Sequence, residues 1–292
     1  MNGEAGHVDA REWLEGAWDA HLHVGPDVVP RAQDAFDLMR DAAAAGMAAV
    51  CLKDHTGCTA GMAAALARVF PDGPRCIGSV TLNPTNGGLN PAAAERALRL
   101  GARVVWFPTY GAAHHVRRMG RSKLPLRADA AALTVLDAKG RAVPAALEIA
   151  ALIREYDAVL ATGHLSPEES LALLRAARSA GVKRLCVTHA SEPVTDMGVA
   201  MQKEAAALGA TLEHSLLALT PTCRGGPSPA AMAAQMAAVG PEHIVLSSDF
   251  GQVENGPPVA AFARWLAALH GEGLGRGEIG RMIRENPARL LA

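Results

Sequence analysis

The sequence has few cysteines, and they make no pattern: Cys51, Cys58, Cys76, Cys186 and Cys223 are odd in number, scattered, and never arranged as CxxC. That excludes a full disulfide framework and a zinc ribbon, and leaves reduced, intracellular thiols as the plain reading. An excess of charge of either sign is missing too. With 28 basic and 29 acidic residues the formal net charge is -1, so no global field draws the chain to nucleic acid or to an anionic membrane. No apolar run approaches the roughly 18 residues of a membrane-spanning helix, and Glu4, Asp9, Glu12 and Asp19 stand where a secretory signal needs a basic start and an apolar stretch. Neither GxGxxG nor a GxxxxGK loop occurs, and GGPSPA from Gly225 reads as a Pro/Gly loop, so no nucleotide cofactor is implied. These absences leave a soluble, cytoplasmic protein acting on a small molecule.

What is present is alternation. Short apolar runs rich in β-branched residues alternate with Ala/Leu/Arg stretches of helical period, the pattern of βα units around a parallel sheet. Strands are expected near 17–23, 48–53, 76–82, 103–107, 158–162, 184–188, 210–213 and 243–248, each followed by a helix. Gly46, Gly101, Gly181 and Gly209 stand between a helix and the next strand, where a left-handed residue ends a helix without a Cβ clash. Eight such units close into a (β/α)8 TIM barrel, and barrels of about 250 residues form one domain, which is the expectation for residues 1–292. An open doubly wound sheet shares the same period. The tail helix around 278–283 would then pack outside the barrel.

One connection is too long. Between Phe107 and the helix near Pro144 lie 36 residues, against roughly 2–6 for an ordinary βα loop. This insertion, at about 108–143, is a candidate lid. Its centre carries His114, His115, Arg117, Arg118, Arg121, Lys123 and Arg127 with no acid, and LTVLDAKGRAV reads as a hairpin turning at Lys139-Gly140. A charge run is usually a solvated loop. After strand four, however, it would overhang the mouth, where arginines clamp carboxylates or phosphates.

Ionisable groups recur where the strands end: Asp19, His21 and His23 on the first, Lys53 and His55 on the second, His164 on the fifth, His189 on the sixth, Glu213 and His214 on the seventh, and Asp249 on the eighth. In a barrel the C-terminal strand ends share one face, so these positions meet. His21 and His23 are two apart and point the same way from a strand. With His164, His189 and Asp249 opposite, the set suits a divalent metal, Zn2+ first and Mn2+ or Fe2+ next. Glu213 and His214 have opposite directions, so at most one faces the axis.

The order HLH, TGH, VTH and SSDFG, with a final ENPARLL, resembles the amidohydrolase superfamily over nearly the whole chain. DAHLHVGPD, LKDH, ATGHLSPEE and GVKRLCVTHA resemble an uncharacterised branch of it. The resemblance implies a metal-dependent hydrolase with one metal on His21, His23 and Asp249, and a second, where present, on His164 and His189. Relatives bridge the two with a carboxylated lysine or a glutamate on strand four. Here that strand ends Trp106-Phe-Pro-Thr-Tyr110 and offers neither. Lys53 takes the bridging role if CO2 adds to its amine; otherwise it binds a substrate carboxylate or pairs with Asp54.

The expected reaction is attack of a metal-activated water on an amide, cyclic amide, lactone or related C–N or C–O bond of a small, anionic substrate. Asp249 would move the proton, and His189 would stabilise the oxyanion if one metal binds. His55, His114, His115, Arg117, Arg118, Arg121 and His214 are the candidate substrate contacts. Three rivals stand beside this: a nonoxidative decarboxylase or C–C lyase on an aromatic or keto acid, a phosphoesterase, and a barrel that only binds a ligand. Barrels of this kind often form homo-oligomers, and the apolar stripes of the Ala-rich helices serve equally as core or interface.

Overall fold

Each of the eight apolar runs forms a strand in the computed structural model, which describes residues 9–120 and 130–292. They are β1 (Trp18–Leu22), β2 (Ala49–Leu52), β3 (Arg75–Thr81), β4 (Ala102–Trp106), β5 (Val159–Ala161), β6 (Arg184–Val187), β7 (Ala210–Ser215) and β8 (Ile244–Ser247). All neighbours pair in parallel, in the order β1 to β8. Just beyond the strand ends, Asp249 N–H donates to His21 O and His23 N–H donates to Phe250 O, both at 2.7 Å, and so join the last strand to the first. The result is a single (β/α)8 barrel. The helices are α1 (Ala10–Leu14), α2 (Ala35–Ala44), α3 (Ala60–Val69), α4 (Pro91–Arg99), α5 (Ala113–Met119), α6 (Pro144–Glu155), α7 (Pro167–Ser179), α8 (Val199–Ala207), α9 (Pro229–Val239), α10 (Pro258–Gly271), α11 (Arg276–Gly280) and α12 (Asn286–Leu291). None of the described helices is long and apolar enough to cross a membrane.

Side-chain alternation sorts the core into two layers. On β2, Val50 and Leu52 join the helix-facing core while Ala49 and Cys51 face inward; on β8, Ile244 and Leu246 face the helices and Val245 faces inward. The inward set is small: Ala20, Ala49, Cys51, Val159, Ala161 and Cys186 leave room for Trp106, Leu290 and Leu291. Cys51 and Cys186 are core filling, and burial pushes both thiols well up. Gly46, Gly101, Gly181 and Gly209 have φ of 69, 94, 88 and 80°, the expected left-handed helix ends.

The tail meets expectation in part: Ile279, Met282 and Ile283 join the helix-facing core outside the strands, and a π-helical turn, Arg281–Glu285, then leads to α12, whose Leu290 and Leu291 enter the barrel floor. Arg103 Nε donates to the Leu291 carbonyl at 3.1 Å, and Arg184 Nη1 to those of Arg289 and Leu290 at 2.6 and 3.0 Å. Period alone marked the helix but not this end, whose apolar face closes an open barrel bottom. In the long connection, Asp137 N–H donates to Arg141 O and Leu136 bridges Ala142 in antiparallel sense, the expected tight turn.

Candidate metal centre

The strand ends bring the candidate ligands together. His21 lies on β1 and His23 just past it; Lys53 follows β2, His164 follows β5, His189 follows β6 and Asp249 follows β8. Asp249 Oδ1 sits 3.0 Å from His21 Nε2 and 3.1 Å from His23 Nε2, while Oδ2 is 3.9 Å from His189 Nε2. The ring of His189 lies 5.2 Å from that of His21 and 5.1 Å from that of His164. All six are buried.

The backbone is built to hold them. In TGH, Gly163 N–H donates to Thr188 Oγ1 and Thr188 N–H donates to Thr162 Oγ1, both at 3.0 Å, stitching β5 to β6. His164 N–H then donates to Pro108 O, and Ser166 with Glu169 forms a capping box that starts α7 two residues later. In SSDFG, Asp19 Oδ1 accepts from Ser248 N–H at 2.9 Å, and Gly251 packs so closely on the His23 backbone that a Cβ would stand 2.3 Å from His23 O. His189 and Asp249 themselves have φ of 56 and 51°. Such left-handed backbone is uncommon for residues other than glycine, costs of order 1 kcal/mol or more, and gathers at functional sites.

Behind the ligands stand groups that orient them. His21 Nδ1 donates to Glu213 Oε1 at 2.6 Å, which aims Nε2 at Asp249 and Lys53. Glu213 also accepts from Ser247 Oγ at 2.6 Å. His189 Nδ1 lies 2.6 Å from Glu192 Oε1, at an angle short of a hydrogen bond, and Ser215 Oγ donates to the same carboxylate oxygen. His164 Nδ1 is 2.8 Å from His115 Nδ1, so one ring donates to the other. Arg31, paired with Asp27, reaches to 3.3 Å from His23 Nδ1.

Charge follows this geometry. Burial pulls His23 down to about 3 and holds His55 and His164 well below the ordinary imidazole value, the neutral form a metal requires. Burial would also lower His21, but the Asp249 and Glu213 carboxylates raise it to about 9. Burial would raise Glu213 and Asp249; the charge of His21 and its hydrogen bonds hold Glu213 at about 2 and Asp249 well below the carboxylate range. Lys53 is lowered by its burial. Its Nζ lies 2.9 Å from His21 Nε2 and 4.8 Å from the Trp106 ring centre.

These residues fit a divalent cation. His21 Nε2, His23 Nε2 and Asp249 Oδ1 converge within one coordination sphere, as do donor atoms of His189, Glu192 and Asp249. His164 Nε2 is buried with no hydrogen-bond partner among the described residues, a cost that an unfilled site does not explain. On β4 the inward position nearest the cluster is Trp106, whose ring lies tilted against that of His21 at 4.7 Å, so that strand brings no anionic bridge.

The proposed substrate contacts divide. His55 is stacked between His23 (4.8 Å) and Tyr110 (4.1 Å), and His115 lies 4.9 Å from His164. His114 Nε2 instead contacts Val194 O, Arg117 is exposed on α5, and Arg118 is tied to Asp196 and to the Pro193 carbonyl; none of the three joins the cluster. Arg121, with Lys123 and Arg127, lies outside the described residues. His214 shares the outer face of β7 with Ala210 and Leu212 and bonds Ser191 Oγ at 3.0 Å, so the strand turns it away from the mouth. Glu213 takes the inner face. Sequence reasoning missed Glu192, Trp106, Tyr110 and Arg31; only Trp106 carried a signal, as the large residue that ends β4.

Solved structures share this barrel fold over nearly the whole chain. An amidohydrolase from Pseudomonas aeruginosa superposes with a TM-score of 0.64 at 12% identity, covering 97% of each chain. A probable dipeptidase from the same organism gives 0.63 at 12%, over 98% of this chain and 97% of that one. The organophosphorus hydrolase from Deinococcus radiodurans gives 0.60 at 15%, over 97% and 94%. No curated protein sequence matches the chain. The chain belongs to the family of unknown function DUF6282, whose model matches residues 16–213. That match takes in His21, His23, Lys53, His164, His189 and Glu213 and ends before Asp249.

Proposed function

We propose that this chain is a metal-dependent hydrolase that cleaves an amide, cyclic amide or lactone bond of a small molecule. The observation that carries the reading is the convergence of His21 Nε2 and His23 Nε2 on Asp249 Oδ1, with His189 Nε2 3.9 Å from Asp249 Oδ2 and the ring of His164, its Nε2 unpartnered, 5.1 Å from that of His189. His21, His23 and Asp249 would hold one cation, and His164 and His189 a second. A divalent cation there, zinc before manganese or iron for this ligand set, supplies Lewis acidity that makes water a nucleophile near neutral pH and polarises a carbonyl.

Asp249, held ionised, accepts the proton of the attacking water as the new C–O bond forms and the carbonyl electrons move to oxygen. When the carbonyl re-forms and the scissile bond breaks, Asp249 returns that proton to the leaving nitrogen or oxygen. His189 stabilises the oxyanion if only one cation is bound. The structural neighbours include a probable dipeptidase and an organophosphorus hydrolase, enzymes named for C–N and P–O bonds, so likeness does not choose among bond types. The expected anionic substrate draws no support from Arg117 or Arg118, which stay outside the cluster.

Lys53 would supply the bridge that Trp106 displaces from β4. Its amine, lowered by burial, adds CO2 with formation of an N–C bond and release of a proton, giving a carbamate. Elemental analysis of untagged wild type and Lys53→Ala tests this, beside a screen of lactones, N-acyl amino acids, dipeptides and phosphotriesters. The expected result is about two metals per chain, falling to one or none in the variant, with hydrolysis of at least one carbonyl substrate lost after chelation. About one metal, unchanged in the variant, would make the site mononuclear, leave Lys53 to the substrate and favour the decarboxylase reading. No metal in either protein would overturn the hydrolase.

A further inference from the structure

At the mouth, beside the proposed ligands, a chain of hydrogen bonds ends on His55. Asn83 is buried between β3 and the segment after β4, and its orientation is set by backbone donors: Oδ1 accepts from Thr109 N–H at 2.9 Å and from Gly111 N–H at 3.0 Å. Nδ2 is therefore the donor end, and it donates to His55 O at 2.8 Å and to Thr109 Oγ1 at 2.6 Å. The Thr109 hydroxyl, fully buried, thus acts as acceptor toward Asn83 and has its own proton left to place. Among the described residues its one remaining neighbour is His55 Nδ1, at 2.9 Å.

We infer that Asn83 and Thr109 are positioning residues that lock His55 in the Nε2–H tautomer, making it a hydrogen-bond donor for an oxygen of the substrate. If Thr109 O–H donates to Nδ1, that nitrogen carries no proton, and a neutral imidazole then bears its proton on Nε2. No described residue hydrogen-bonds Nε2, and the ring sits between Tyr110 and His23 with His164 6.0 Å away. The donor is fixed before the substrate arrives, so no rearrangement is needed at binding. Its complement is a carbonyl, carboxylate or ester oxygen rather than an amine. This role rests on the hydrolase reading for its substrate, but the tautomer does not.

The test separates the two. In the zinc-supplemented full chain labelled with 15N-histidine, His55 is assigned by the signals lost in His55→Gln, and the shifts of its two ring nitrogens report which is protonated. The expected pattern is a bare Nδ1 and a protonated Nε2. Thr109→Val, which keeps shape and removes the hydroxyl, should bring Nδ1-protonated signal in, Thr109→Ser should restore the original pattern, and metal content should stay constant. On any substrate the screen identifies, Thr109→Val should lower kcat/KM about tenfold and Thr109→Ser should recover it. A protonated Nδ1 in wild type, or an unaltered tautomer in Thr109→Val, overturns the inference whatever the activity. The expected shifts in a chain that hydrolyses nothing would defeat the hydrolase and leave the lock standing.

Discussion

Asp249→Asn is expected to slow hydrolysis by about 10²–10⁴-fold, the contribution of a positioned general base, while the chain keeps most of its metal. Asparagine retains a ligating oxygen but no longer takes a proton, and it tolerates the left-handed backbone that φ of 51° demands. The substitution thus separates proton transfer from folding. It is read by kcat and elemental analysis on one preparation. An unchanged kcat would remove Asp249 from the proton path, and loss of all metal would reduce it to a ligand.

Gly163→Ala carries the largest expected effect on stability. A Cβ at Gly163 would stand 2.2 Å from Phe107 O and 2.6 Å from Pro108 O, on backbone with φ of 66°. Backbone strain of about 1–3 kcal/mol and overpacking of about 1–3 kcal/mol sum to roughly 2–6 kcal/mol. Gly101→Ala is the control, since its φ of 94° imposes strain alone with nothing within 4 Å of the added carbon. Denaturant unfolding compares the two. Equal losses would show that the tight approach of β4 to the TGH turn gives way freely and does not fix His164.

How much of this was legible depended on whether the signal was local. The eight strands were readable because β-branched runs and helical period are properties of neighbours in sequence, and the barrel's common face made the strand-end histidines a single site. Alternation would also have chosen between Glu213 and His214. In ATLEHS the apolar Ala210 and Leu212 must face the helices, which puts Glu213 inside with Thr211 and His214 outside with them. Other parts had no such mark. Glu192 reaches His189 through a turn of three residues, and Arg31 reaches His23 through a loop eight residues on, neither of which has a period. The place of α12 carried no mark, because the vacancy that Leu290 and Leu291 fill beneath Ala20, Ala49 and Ala161 exists only after the strands have closed. In the basic run after β4 composition gave charge but no place for it, and Arg118 is paired with Asp196.

The joint between the first and last strands is made by the main chain of the ligand residues themselves: Asp249 N–H on His21 O, and His23 N–H on Phe250 O. A cation pulling on these side chains therefore also clasps the seam of the barrel. Local opening there and release of the cation become one event, so exchange of the His23 and Asp249 amides with solvent deuterium should slow as metal is added, with little change at the β3–β4 seam on the other side. Occupancy of the centre is in that sense written into the backbone and can be followed without knowing the substrate.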